Sequence, residues 1–250
     1  MIRAQRMCTP FKISVTVCCY GTNLRKGELR TVEQEHVILI IGSAPFGGDP
    51  INPTYELAKL LNGTEYKGYV FRCASFPVSR QQCIPAVEKE IERWNPEIVI
   101  GVGLADNRTG VSLERVAINV ADFPIADNDG YLALNEALDP DGPVGYFSTL
   151  PIRACVKALR ESGIPANVSN TAGNFCCNMV MYSALNYIQN HGLNARAGFV
   201  HVPYTPEMVA GKGDGLPFMS FEMMKRAVET VAKTAVDCQE DISLVCGACS

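Results

Sequence analysis

Two aliphatic runs, VILIIG at 37–42 and EIVIGVG at 97–103, set the terms for any fold this chain can adopt. Neither alternates apolar with polar residues, so each reads as a strand covered on both faces, which requires helices above and below the sheet. Segments of helical spacing lie between and after them. PTYELAKLLNG (53–63) opens on proline and stops at glycine, and SRQQCIPAVEKEIERWN (79–95) is amphipathic with Pro85 as its blemish. PIRACVKALRESG (151–163), NFCCNMVMYSALNYIQNHG (174–192) and SFEMMKRAVETVAKTAVDC (220–238) also read as helices. YKGYVFRC (66–73), ERVAINVAD (114–122), ANVSN (166–170) and ARAGFVHVPY (195–204) read as strands or extended segments. This alternation predicts a single three-layer α/β/α domain over 36–238, with a mostly parallel, twisted central sheet. Sites in such sheets gather where strands end and helices begin.

A chain of 250 residues with 47% hydrophobic and 19% charged residues has the apolar content for one sizeable core. The net charge of −4 and the absence of a basic run argue against a nucleic-acid partner or an acidic membrane surface. No apolar stretch approaches the ~20 residues of a membrane helix. Eleven irregularly spaced cysteines do not form the framework of a small secreted scaffold, and point to a reducing, cytoplasmic setting. Residues 1–35 form an N-terminal extension outside the alternating pattern. Their first 27 residues carry Arg3, Arg6, Lys12, Arg25 and Lys26 and no acid, which suits an extra strand, a flexible extension or a targeting segment. Residues 239–250 form a C-terminal tail whose Cys246 and Cys249 lack the histidine or second cysteine pair of a zinc site.

The chain has only three histidines to serve a reactive thiol. His36 precedes the first buried strand, and His191 sits in a helix-stop context. His201 ends the strand AGFV at the sheet rim and is the best-placed base, against the plainer reading of a rim histidine bonded to backbone. Cys176 and Cys177 both lie where a turn, TAG, enters a helix. A thiol there feels the positive end of the helix dipole, and unsatisfied N–H groups there can hold an oxyanion. The two side chains point about 100° apart, and periodicity does not choose between them. Glu114, near Arg108 and Arg115, is a candidate to orient an imidazole or else one half of a surface ion pair. The glycine pair of APFGGDPINPT (44–54) permits close backbone approach to a ligand, although it is neither GxGxxG nor a P-loop. Phe46 in it serves a pocket wall or the core equally well.

Taken together, PFGGDPINPT, SLERVAIN, DNDG, DGPVGYFSTLPI, NTAGNFCCN and FVHVPYTPE resemble, in order and spacing, the pyroglutamyl peptidase I family of cysteine peptidases. The resemblance runs from about Val37 to about Asp237. It implies a Glu–Cys–His triad. The acid of the family's S/T-x-E-R-x-A-x-N motif falls on Glu114, the nucleophile of T-A-G-x-F-x-C-N on Cys177, and the histidine of H-x-P-Y on His201. It further implies that Phe46 and Phe175 wall the lactam pocket, with Cys176 beside the nucleophile, and that Arg108 lies near it as a contributor to the oxyanion site. Ser43 stands where the family usually has an aromatic residue, and Asp106 and Asn107 where small residues are usual.

The function implied is hydrolysis of the bond after an N-terminal pyroglutamyl residue of peptides, through an acyl-enzyme, with no metal or organic cofactor. By the same resemblance the partner is a peptide bearing N-terminal pyroglutamate, and the assembly a homo-oligomer, often a tetramer. The alternative is a non-peptidase α/β protein that binds a small nucleoside-like ligand through the Gly48 loop and has no thiol-dependent activity.

Overall fold

The computed structural model describes residues 35–212 and 215–246. The expectations for the N-terminal extension lie outside these residues, except for Glu35, and so does the pairing of Cys246 with Cys249. The elements, in chain order, are β1 (His36–Ser43), α1 (Pro53–Leu61), β2 (Glu65–Tyr66), β3 (Tyr69–Phe76), α2 (Cys83–Trp94), β4 (Ile98–Leu104), β5 (Val111–Glu114) and β6 (Val116–Ile118). There follow β7 (Gly145–Phe147), α3 (Ile152–Glu161), β8 (Ala166–Ser169), α4 (Cys176–Asn190), β9 (Arg196–Val202), α5 (Pro206–Val209) and α6 (Phe221–Asp237).

The chemistry of the helix ends follows the sequence. Asn52 caps α1 by accepting from the Thr54 N–H at 3.1 Å, with Pro53 in the first helical position. Pro85 falls in the first turn of α2, where its missing N–H has no intrahelical partner to lose. That helix stops at Asn95 in the left-handed conformation, φ 41°. The expected single strand over 66–73 is broken by a turn at Lys67 and Gly68, both at positive φ, which folds the two-residue β2 back on β3.

A seven-stranded sheet runs in the order β2-β3-β1-β4-β9-β5-β8. The centre is parallel: β3, β1, β4 and β9 pair in one direction. β5 runs antiparallel to β9, and β8 follows β5. The reversal has a simple cause: only residues 105–110 join β4 to β5, too few for the crossover helix a parallel return would need. β6 and β7 form a separate two-stranded sheet. The extended segment expected over 114–122 is therefore divided, with Glu114 ending one strand rather than beginning another.

Both sheet faces are covered. Ile38 and Ile40 of β1 join one core with Leu57 of α1, Val156 of α3 and Val228 of α6. Their neighbours Leu39 and Ile41 join a second core with Val87 of α2, Met179 of α4 and Phe199 of β9. Each such side chain stabilises the fold by roughly 1.5–3 kcal/mol on burial. On β9 the alternation puts Val200 and Val202 in the first core and Phe199 in the second, so His201 faces the α2/α4 side.

Candidate active site

The turn after β8 delivers the chain into α4. Thr171 Oγ1 accepts the Gly173 N–H at 3.0 Å, and Gly173 takes φ 78°, a conformation that penalises side chains with a Cβ. Phe175 occupies the N-cap position without a capping side chain, so Cys176 and Cys177 enter a helix start whose N–H groups lack intrahelical partners. Asn178 ties this start to the neighbouring sheet: its side-chain oxygen accepts from Ile118 N, and its amide donates to the carbonyls of Ile118 and Val120.

The two cysteines go different ways. Cys176 is 1% exposed and its thiol meets that of Cys83 at the start of α2; this hydrogen bond, followed by burial, pushes the Cys83 thiol well above its usual range. Cys177 is half-buried and lies over β4. A Cβ added at Gly103 would come within 2.7 Å of its Sγ and 3.0 Å of Phe199 Cζ, so only glycine leaves room for the thiol here. Gly103 is the register partner of His201. The thiol thus rests at the strand position beside the imidazole.

His201 is 5% exposed, and its Nδ1 lies 2.8 Å from Glu114 Oε1. A carboxylate oxygen can only accept, so Nδ1–H donates and the lone pair of the neutral ring belongs to Nε2. The register explains the pairing: Ser112 of β5 sits opposite His201, and Glu114, two residues on, shares its face of the sheet. Glu114 is fully buried, with Arg108 Nη2 at 3.6 Å from the same oxygen. Among the described residues its Oε2 has no hydrogen-bond partner. A carboxylate so placed depends on its cation and on the imidazole to offset desolvation.

Arg108 does not line the cavity above the thiol; its Nη2 donates to Ser169 Oγ at 3.0 Å and to the Thr171 carbonyl at 3.2 Å. It joins Glu114 to the turn that precedes α4. His36 bonds Glu97, and His191 bonds the Tyr187 carbonyl and stacks on that ring, so neither reaches this place.

A cavity of about 350 Å³ opens over Cys177, lined by Phe46, Phe175, Cys176, Ser43 and Val78 among others. The rings of Phe46 and Phe175 lie 5.2 Å apart, and Phe123 meets Phe175 edge-on at 4.5 Å. Ser43 and Asp106 also reach the cavity lining, whereas Asn107 is exposed and does not. Gly103 and Asn128 had no assigned role in the sequence reading. Asn128 donates from its side chain to Pro45 O at 2.9 Å and from its backbone to Val78 O at 3.0 Å, clamping the Phe46 loop to the end of β3. The motif DNDG was the available signal for it; for Gly103 it was a glycine pair, GVG, spaced to share one strand face.

Burial raises the Cys177 thiol pKa well above its ordinary range, with smaller contributions from Cys176 and the Glu114 charge, against a lowering by its own backbone N–H. Burial thus outweighs the lowering that the helix start supplies, which gives a neighbouring base a part in activating the thiol. Thiol, imidazole and carboxylate, in series beneath an apolar cavity and beside free helix-start N–H groups, form a set able to attack a carbonyl and hold the resulting oxyanion.

The sequence model of the pyroglutamyl peptidase family matches residues 36–238. The chain is 42% identical over 216 residues to the pyrrolidone-carboxylate peptidase of Pectobacterium carotovorum, covering 84% of this chain and 98% of that one. It is 39% identical over 204 residues to that of Thermococcus litoralis, covering 80% and 93%. Among solved structures, the pyroglutamyl peptidase I of Bacillus amyloliquefaciens superposes with a TM-score of 0.81 at 34% identity, covering 84% of this chain and 99% of that one.

Proposed function

The chain belongs to the pyroglutamyl peptidase family and is a cysteine-type pyroglutamyl peptidase, and we propose that Cys177, His201 and Glu114 carry its reaction. His201 Nε2 takes the proton of Cys177, whose sulfur attacks the pyroglutamyl carbonyl. Glu114 holds the imidazole through Nδ1 and stabilises the imidazolium that forms. N–H groups at the start of α4 receive the oxyanion. His201 then returns the proton to the departing amine, and water attacking the acyl-enzyme releases pyroglutamate. The carrying observation is the 2.8 Å Glu114–His201 pair with Cys177 Sγ packed over Gly103, the strand neighbour of His201.

We assign Phe46 and Phe175 to the lactam pocket, because a neutral lactam needs apolar walls rather than a countercharge. Cys176 supports the floor from within. Arg108, through its contacts with Glu114 and Thr171, positions the acid rather than the oxyanion. The family assignment sets aside the nucleoside-binding alternative. Seven free cysteines among the described residues support a reducing, cytoplasmic location. The described helices include none long and apolar enough to cross a membrane. Exposed Leu134, Val144 and Phe147 support assembly as a homo-oligomer, a tetramer by family resemblance. The test is hydrolysis of a pyroglutamyl-aminocoumarin amide with and without iodoacetamide. Thiol-dependent release of the coumarin is expected, and turnover that survives full alkylation of Cys177 refutes the assignment.

A further inference from the structure

The cavity over Cys177 does not end at the aromatic pair. At its far side Asp49 and Lys212 form an ion pair of 3.1 Å, with Ile51 and Met208 beside it. These same four residues line a second cavity, of about 660 Å³, which none of Phe46, Phe175 or Cys177 touches. Pro50 and Phe221 complete its apolar wall, and Ile51 is 59% exposed to it and to solvent. The two spaces therefore adjoin across the Asp49–Lys212 bar, with the thiol in one and a larger, more apolar groove in the other.

We propose that this groove holds the leaving peptide, taking an apolar side chain from the first residues after pyroglutamate. The inference rests on the peptidase reading, which places the scissile carbonyl at Cys177 and requires the rest of the peptide to leave the aromatic end of the cavity. Phe46, Phe175 and Phe123 close that end, and the residues Asp49, Ile51, Met208 and Lys212, which line both spaces, mark the side on which the groove adjoins the cavity. Charge adds a preference. Asp49 is paired with Lys212 and Glu56 with Lys59, whereas Glu207 on the groove rim has no ion-pair partner among the described residues. The rim favours a peptide carrying a basic residue over one carrying an acid.

The test compares kcat/KM for pyroglutamyl-alanine amide with that for pyroglutamyl-alanyl-leucine amide, and with analogues bearing Lys or Glu in place of Leu. The Leu peptide exceeds the short amide, and Phe221→Ala lowers that ratio about tenfold. Phe221 also touches the core, so Glu207→Lys at an exposed position serves as the second variant; it reverses the Lys-over-Glu preference, each way by about threefold. Ratios that are the same in the parent protein and both variants overturn the groove. Absence of turnover of every pyroglutamyl amide, including the aminocoumarin, overturns the peptidase reading and the groove with it.

Discussion

Cys155 and Cys177 sit in comparable local settings on opposite faces of one sheet. Each lies in the first turn of a helix, α3 or α4, and burial drives each thiol pKa up, that of Cys155 to about 12. Their surroundings then diverge. Cys155 is fully buried between α3 and α6, its Sγ 3.8 Å from the Val231 carbonyl, with aliphatic neighbours. Cys177 is half-buried at a cavity, on the bare backbone of Gly103 and beside a histidine already held by a buried acid. A helix start does not by itself make a reactive thiol. The base next to it and a path for substrate do, because the proton must have somewhere to go when burial disfavours the thiolate.

The largest expected contrast is between alanine variants of the two cysteines. Cys177→Ala lowers kcat by at least ~10⁴-fold in the coumarin assay, whereas Cys155→Ala leaves kcat/KM within about twofold and costs roughly 1–2 kcal/mol in denaturant unfolding. Next, Glu114→Gln lowers kcat about 10³-fold, since a neutral amide can bind the wrong imidazole tautomer and does not stabilise its cation. A pH–rate profile and an unfolding curve together distinguish this from loss of fold. Gly103→Ala pushes the Cys177 sulfur off the strand and lowers kcat about 10²-fold. Titration with iodoacetamide measures whether Cys177 remains accessible in that variant.

The smallest effect concerns pH and stability at Cys155. Its folded pKa is raised, so the folded thiol keeps its proton after the unfolded chain has lost it. Stability is thus complete below about pH 8.5 and declines as the pH rises toward about 12. The loss measured by denaturant unfolding between about pH 7 and about pH 10 is smaller by about 2 kcal/mol in Cys155→Ala than in the parent protein.

Much of the fold was readable before any coordinates. The runs at 37–42 and 97–103 became β1 and β4, and the helical segments read at 53–63 and 220–238 became α1 and α6. The strand β5, the strand β7 that pairs with β6, and the short α5 were not foreseen. Each has only three or four residues, too few for periodicity to register, and β5 and β7 are held by strands distant in the chain. At the site, motif order named Glu114, Cys177 and His201, while Asn128 and Gly103 emerged only once loops and strands were brought together.

What the sequence by itself determined is the layered α/β plan and the residue types available for chemistry, because the hydrophobic period and the turn residues are local properties. Tertiary structure decided which thiol packs over Gly103, that β5 runs antiparallel so Glu114 reaches Nδ1 of His201, and that Arg108 lies against the acid. Those outcomes depend on the 105–110 connection being too short for a crossover and on glycine leaving space at position 103. Register and clearance between distant segments are set by packing, and no window of sequence contains both partners.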